Sequence, residues 1–194
     1  MILSGKMEAL ATASHLRLTM NVPKLKLSCE HFGIKARCLL LPVDLAKCPL
    51  EIFQLANGFT KPFDGEIVLL HVLDGRKHAM RSEPAELDRH RATRHLERLG
   101  RDFLSPTIEA SFRVRVGIPH DEILAEATAT NADFILIPTF VPSIWRILAG
   151  VIHGETVRNL VGKASCRIFV VEVQTRFNCF RQWSDDQELN PWTT

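Results

Sequence analysis

The chain of 194 residues has little net charge: its formal value is +2 at pH 7. That is too small to argue for a nucleic-acid or membrane partner. It has no apolar run of membrane-spanning length. Its five cysteines, Cys29, Cys38, Cys48, Cys166 and Cys179, are odd in number and form no CxxC pair. Neither a disulfide framework nor a closed structural zinc site is expected from that spacing. Buried thiols in a reducing, cytoplasmic compartment fit better. Walker loops, nucleophile elbows and kinase signatures are missing, and so are internal repeats. Nothing in the residues points to catalysis. His90 and His95 lie five apart and share no helix face, and His153 has no carboxylate near it in sequence, so no metal is expected.

What is present is a regular alternation of strands and helices. With 46% hydrophobic and 24% charged residues, the chain can form a sizeable core. A short apolar strand, Cys38–Val43, ends at Asp44, and a helix pattern over 49–60 follows. Ile67–Leu73 is the second strand, closed by Asp74 and Gly75. A long helix over 84–104 places Ala85, Ala92, Leu96, Leu99 and Phe103 on one stripe, with Arg91, Arg94, Arg98 and Arg101 opposite. Ile108–Val116 is the third strand. A helix over 120–130 has Asp121 and Glu122 in its first turn, where the dipole favours acid. Phe134–Pro138 and Arg167–Val173 are the fourth and fifth strands, separated by a helix somewhere within 143–163. The uninterrupted apolar runs are those of strands buried on both faces. The prediction is a single α/β domain with a doubly wound parallel sheet and right-handed crossovers. Residues 1–35 read as an N-terminal extension, with a short helix within 8–20, and 175–194 as a polar tail.

Five segments, in order over about 135 residues, resemble the universal stress protein family. They are Leu39–Leu–Leu–Pro–Val–Asp44, Glu66–Ile–Val–Leu–Leu–His–Val–Leu73, Gly117–Ile–Pro–His–Asp–Glu–Ile123, Asn131–Ala–Asp–Phe–Ile–Leu–Ile137 and Ala164–Ser–Cys–Arg–Ile–Phe–Val–Val171. The resemblance implies a five-stranded sheet of order 3-2-1-4-5. Its ligand crevice would lie between the carboxyl ends of the first and fourth strands, where open α/β sheets bind ligands. Pro42, Val43, Asp44, Pro138 and Thr139 stand at those ends, and Val72 and Thr139 either line the crevice by analogy or are packing.

Relatives that bind ATP carry a Gly-x2-Gly-x9-Gly-Ser/Thr loop after the fourth strand. Such a loop suits phosphate, because glycine lets bare backbone N–H groups approach closely. Here Pro138 and Val141 stand at the first two glycine positions. Gly154 stands at the third when counted back from Cys166, with Glu155 in place of the hydroxyl residue. Counting forward gives Gly150–Val151 instead, so an insertion is expected, and Thr156 could supply the hydroxyl if the loop shifts. Proline donates no N–H, and Glu155 would repel phosphate.

The expectation is therefore a binding or regulatory protein of the stress response that is not a tight ATP binder. The alternative is an adenine-nucleotide sensor, for ATP or AMP, using the crevice between the first and fourth strands. Weak nucleotide hydrolysis is a third reading. Asp44 is either an acceptor for adenine or ribose, or a helix N-cap. The run Ile144–Ile152, with Trp145, either packs in the core, fills the former phosphate pocket or makes a partner surface. A homodimer through the apolar Arg167–Val173 edge is expected, unless an extension covers that edge.

Overall fold

The computed structural model describes residues 15–19, 37–45, 48–75, 85–139, 155–160 and 163–172. Its strands are β1 (His15–Thr19), β2 (Cys38–Pro42), β3 (Glu66–Asp74), β4 (Glu109–Gly117), β5 (Phe134–Thr139) and β6 (Arg167–Glu172). Its helices are α1 (Glu51–Thr60), α2 (Ala85–Phe103), α3 (Pro119–Ala129) and α4 (Glu155–Leu160). The strands form one all-parallel sheet in the order β1-β6-β5-β2-β3-β4. Without β1 this is the expected 3-2-1-4-5 arrangement.

The strand sequences explain the layering. Side chains alternate faces along a strand, so a run apolar at every position feeds two cores. Leu39, Leu41, Ile67, Leu69, Phe134, Leu136, Phe169 and Val171 join Ile52, Phe53 and Phe59 of α1 and Leu96 and Leu99 of α2 on one face. Leu40, Val68, Leu70, Ile135, Ile137, Ile168 and Val170 join Ile123 and Ala127 of α3 and Leu160 of α4 on the other. Phe59, Phe134 and Phe169 form a ring cluster with centroids 5.3 to 5.9 Å apart.

Helix α2 turns the predicted stripe inward: Ala92, Leu96 and Leu99 are buried, while Arg94 and Arg101 are exposed. Asn57 of α1 ties the end of α2. Its amide donates to the Phe103 carbonyl at 2.9 Å and accepts from the Ser105 N–H at 2.9 Å. Gly117 ends β4, and a Cβ there would lie 2.5 Å from Oε1 of Glu122, so that side chain would have to shift. On that side Arg115 bonds the buried Glu126 and lies 3.2 Å from Glu122. These carboxylates hold the Arg115 guanidinium above its usual pKa against the opposing effect of burial.

Helix α3 ends in a Schellman-type cap. Asn131 adopts φ 50°, a left-handed value asparagine tolerates, and the Ala132 N–H donates to the Ala127 carbonyl at 2.9 Å. Asp133 follows directly and reaches back to the start of β2. Its Oδ2 accepts from the N–H groups of Arg37 at 2.7 Å and Cys38 at 2.9 Å.

Two expectations change. Within the extension, His15–Thr19 is a strand and not part of a helix. It pairs parallel to β6, from His15 opposite Ile168 to Thr19 opposite Glu172. The edge on which a second copy was expected to pair therefore carries a strand of the same chain. An apolar β6 invites such cover, since its open backbone groups would otherwise attract another chain. Residues 144–152, with Trp145, and the tail 175–194 lie outside the described residues.

Candidate functional site

The site expected from the sequence is at the carboxyl ends of β2 and β5, and there the sheet opens. Pairing between β2 and β5 runs through Leu39 opposite Phe134 and Leu40 opposite Ile135. Beyond that point β2 stays paired with β3 as far as Pro42 opposite Leu70. β5 stays paired with β6 as far as Thr139 opposite Glu172. The two central strands thus each keep one neighbour and part from each other. Proline contributes to the parting. Pro42 and Pro138 have no N–H to add to a ladder, and both are half-buried at the diverging ends.

From Pro42 the chain leaves the sheet in three residues. Val43 is buried, at 4% exposure, Asp44 is exposed, and Leu45 is buried again. The Val43 N–H still donates to the Leu70 carbonyl at 2.8 Å. The Val43 carbonyl accepts from the His71 ring, with Nδ1 2.8 Å away.

The helix that follows excludes one role for Asp44. Helix α1 begins at Glu51, and its N-cap residue is Leu50, with no side-chain cap bond. Asp44 lies seven positions before Glu51 and so is not the N-cap. Of the two roles the sequence leaves open, that one is corrected.

The other expected residues fall as follows. Val72 is half-buried on β3 and packs in the α3-side core. Thr139 is the last residue of β5. Glu155 opens α4, with Thr156 half-buried in its first turn. Gly154 lies outside the described residues, as do Val141 and Gly150. The structure thus brings Pro42, Val43, Asp44, Pro138 and Thr139 to the ends of adjacent strands.

His71 and His95 complete the surroundings. His71 follows the parity of Ile67 and Leu69, so its ring is on the α1 and α2 face. His95 of α2 is half-buried there. Burial lowers its pKa below the ordinary value of 6.5, with help from the charges of Arg94, Arg98 and His71. Its ring is then neutral at pH 7. Sequence reasoning noted His71 only as part of a motif. Its signal is a lone polar ring inside an apolar strand.

Cys38 opens β2 and Cys166 directly precedes β6, so both lie at the amino ends of their strands. Burial, a hydrogen bond donated to the Glu66 carboxylate and the nearby acids push the Cys38 thiol up to about 12. Burial also raises Cys166. Neither offers a thiolate nucleophile at neutral pH.

Known proteins share this fold. The model of the universal stress protein family matches residues 36–172. A solved structure described as hypothetical protein MJ0577 superposes with a TM-score of 0.59 at 22% identity, covering 73% of this chain and 99% of that one. One described as hypothetical protein PH0823 superposes with a TM-score of 0.51 at 25% identity, covering 72% and 98%. A universal stress protein from Archaeoglobus fulgidus, solved in complex with dAMP, gives 0.45 at 16% identity, covering 71% and 98%. No match is found among curated proteins. Among the described residues, no helix is long and apolar enough to cross a membrane.

Proposed function

The chain belongs to the universal stress protein family, and we propose that it is a binding and regulatory protein of the stress response that does not grip ATP tightly. The replaced glycines support this reading: Pro138 is the penultimate residue of the strand from which a phosphate loop would start, and Glu155 opens the helix that would follow. Proline offers phosphate no N–H, and a carboxylate repels it.

The open crevice favours a second reading, in which the protein senses an adenine nucleotide, ATP or AMP. The carrying observation is the parting of β2 and β5 beyond Leu40 and Ile135, with Asp44 exposed where β2 ends. Pro42, Val43, Val72 and Thr139 would line the nucleoside end. Asp44 would accept from ribose hydroxyls or the adenine amine. Gly154, Glu155 and Thr156 would face the phosphate end, where the grip is weak.

The test is to denature freshly purified protein, identify any released nucleotide by mass and absorbance, and titrate the emptied protein with Mg-ATP and AMP. AMP binding that Asp44→Ala weakens, with no gain from the extra phosphates of ATP, supports both readings. Tight ATP binding overturns the first, and an unchanged affinity in Asp44→Ala overturns the second. Hydrolysis is assigned no residue.

A homodimer through the Arg167–Val173 edge belongs to the original expectation. It requires β1 to leave that edge, so light scattering on the full chain and on a variant lacking residues 1–35 tests it. A cytoplasmic location fits the thiols Cys38 and Cys166.

A further inference from the structure

We propose that His71 is a positioning residue for the nucleotide crevice, setting through its ring the turn that carries Asp44. The proposal rests on the nucleotide-sensing reading above. It starts from the way β2 ends. In a parallel ladder the Val43 carbonyl would meet a backbone N–H of β3. The ladder stops at Pro42 opposite Leu70, and the carbonyl accepts instead from His71 Nδ1 at 2.8 Å. A carbonyl has no proton to give, so Nδ1 is the donor.

That bond reaches further than Val43. The Val43 carbonyl and the Asp44 N–H belong to one planar peptide unit. Holding the carbonyl fixes the plane from which Asp44 departs. The Val43 and Leu45 side chains are buried on either side, so the turn is pinned at three places and the carboxylate of Asp44 is directed outward. Val72, the next residue of β3, has its side chain on the opposite face, with the α3-side core. β3 thus packs Val72 into one core and, beside it, turns the His71 ring to the other face, where it meets the Val43 carbonyl. A leucine at position 71 would pack on the same face but give the Val43 carbonyl no donor, freeing the turn to rotate.

The experiment is calorimetric titration of the full chain with AMP, together with a thermal melt of each variant. Wild type, Asp44→Ala, His71→Asn, His71→Leu and Asp44→Ala/His71→Leu are compared. The asparagine amide can place an N–H near the position of Nδ1, so His71→Asn is expected to bind within about twofold of wild type, while His71→Leu loses about tenfold, the equivalent of one good hydrogen bond. The double variant is expected to bind no worse than Asp44→Ala alone, because the ring acts through that acid. If His71→Leu does not fold, His71→Gln takes its place: its amide sits beyond the Nδ1 position, so it is expected to bind as weakly.

Wild-type affinity in His71→Leu or His71→Gln, even with a lowered melting temperature, would show a purely structural ring and overturn the proposal. So would additive losses in the double variant, or equal losses in His71→Asn and His71→Leu. Wild type that fails to bind AMP at ~1 mM, a binding free energy of about −4 kcal/mol, removes the nucleotide-sensing reading and this proposal with it. That failure is recognised because it appears before any substitution at position 71.

Discussion

Strand β2 is tied to its neighbours on both sides at its amino end and on one side at its carboxyl end. At the amino end, the Asp133 N–H donates to the Cys38 carbonyl at 2.9 Å while its carboxylate accepts from Arg37 and Cys38. The Glu66 N–H donates to the Arg37 carbonyl at 2.7 Å. The Asn57 bonds and the Phe59, Phe134 and Phe169 rings reinforce the same half. At the carboxyl end β5 departs, two prolines withhold donors, and a histidine ring takes the place of a ladder bond. The difference shows how one sheet can be both scaffold and site. Hydrogen bonds tie β2 to both neighbours at one end, and at the other end β2 and β5 each keep one partner strand, part from each other and leave an exposed acid.

The comparison can be broken from the scaffold side first. Phe134→Ala removes a fully buried ring from the three-ring cluster and is expected to cost about 3–5 kcal/mol, measured by urea denaturation. Asp133→Ala removes the acceptor of two backbone N–H groups, one of them exposed. It is expected to cost about 1–3 kcal/mol, with Asp133→Asn closer to wild type because its carbonyl still accepts. Asn57→Ala belongs to the same range, since it leaves the Phe103 carbonyl and the Ser105 N–H without their partner. If these three prove no more damaging than changes at the crevice, the contrast between the two ends fails.

A smaller effect concerns His95, between the two ends. Its native pKa lies below 6.5, so between that lowered value and 6.5 the unfolded chain binds more protons than the folded one. Stability is therefore expected to fall as pH drops from 6.5 through the native value. Denaturation midpoints at pH 7 and pH 5.5 measure this, and His95→Gln should flatten the slope.

The smallest effect on stability is expected at the acid of the site. Asp44→Ala, at an exposed position that caps no helix, is expected to change stability by less than about 0.5 kcal/mol. A large loss of stability would make Asp44 part of the scaffold and erase the distinction.

Much of this was legible in the chain. Strand runs that are apolar at every position announce burial on both faces, and the α2 stripe with its opposing arginines fixes which side packs. Asp44 at a strand end marked the side on which β2 and β5 part. The role of Asp133 and the bond of His71 were not legible. The first pairs residues 95 and 96 positions apart, the second residues 28 apart, and no local pattern reports such a partner. The N-terminal strand was missed for a related reason. Five residues, His–Leu–Arg–Leu–Thr, carry little intrinsic signal, and an edge strand takes its conformation from the strand it joins.

Local periodicity and turn chemistry, which act over a few residues, sufficed to determine the five core strands, the helices between them and the parallel sheet, and the five motif segments pointed to the family. Where β2 and β5 separate, whether Asp44 caps a helix or faces outward, and which strand covers β6 depend on groups brought together from distant positions. Those were decided only when the tertiary structure set them side by side, because hydrogen bonds and burial are properties of neighbours in space.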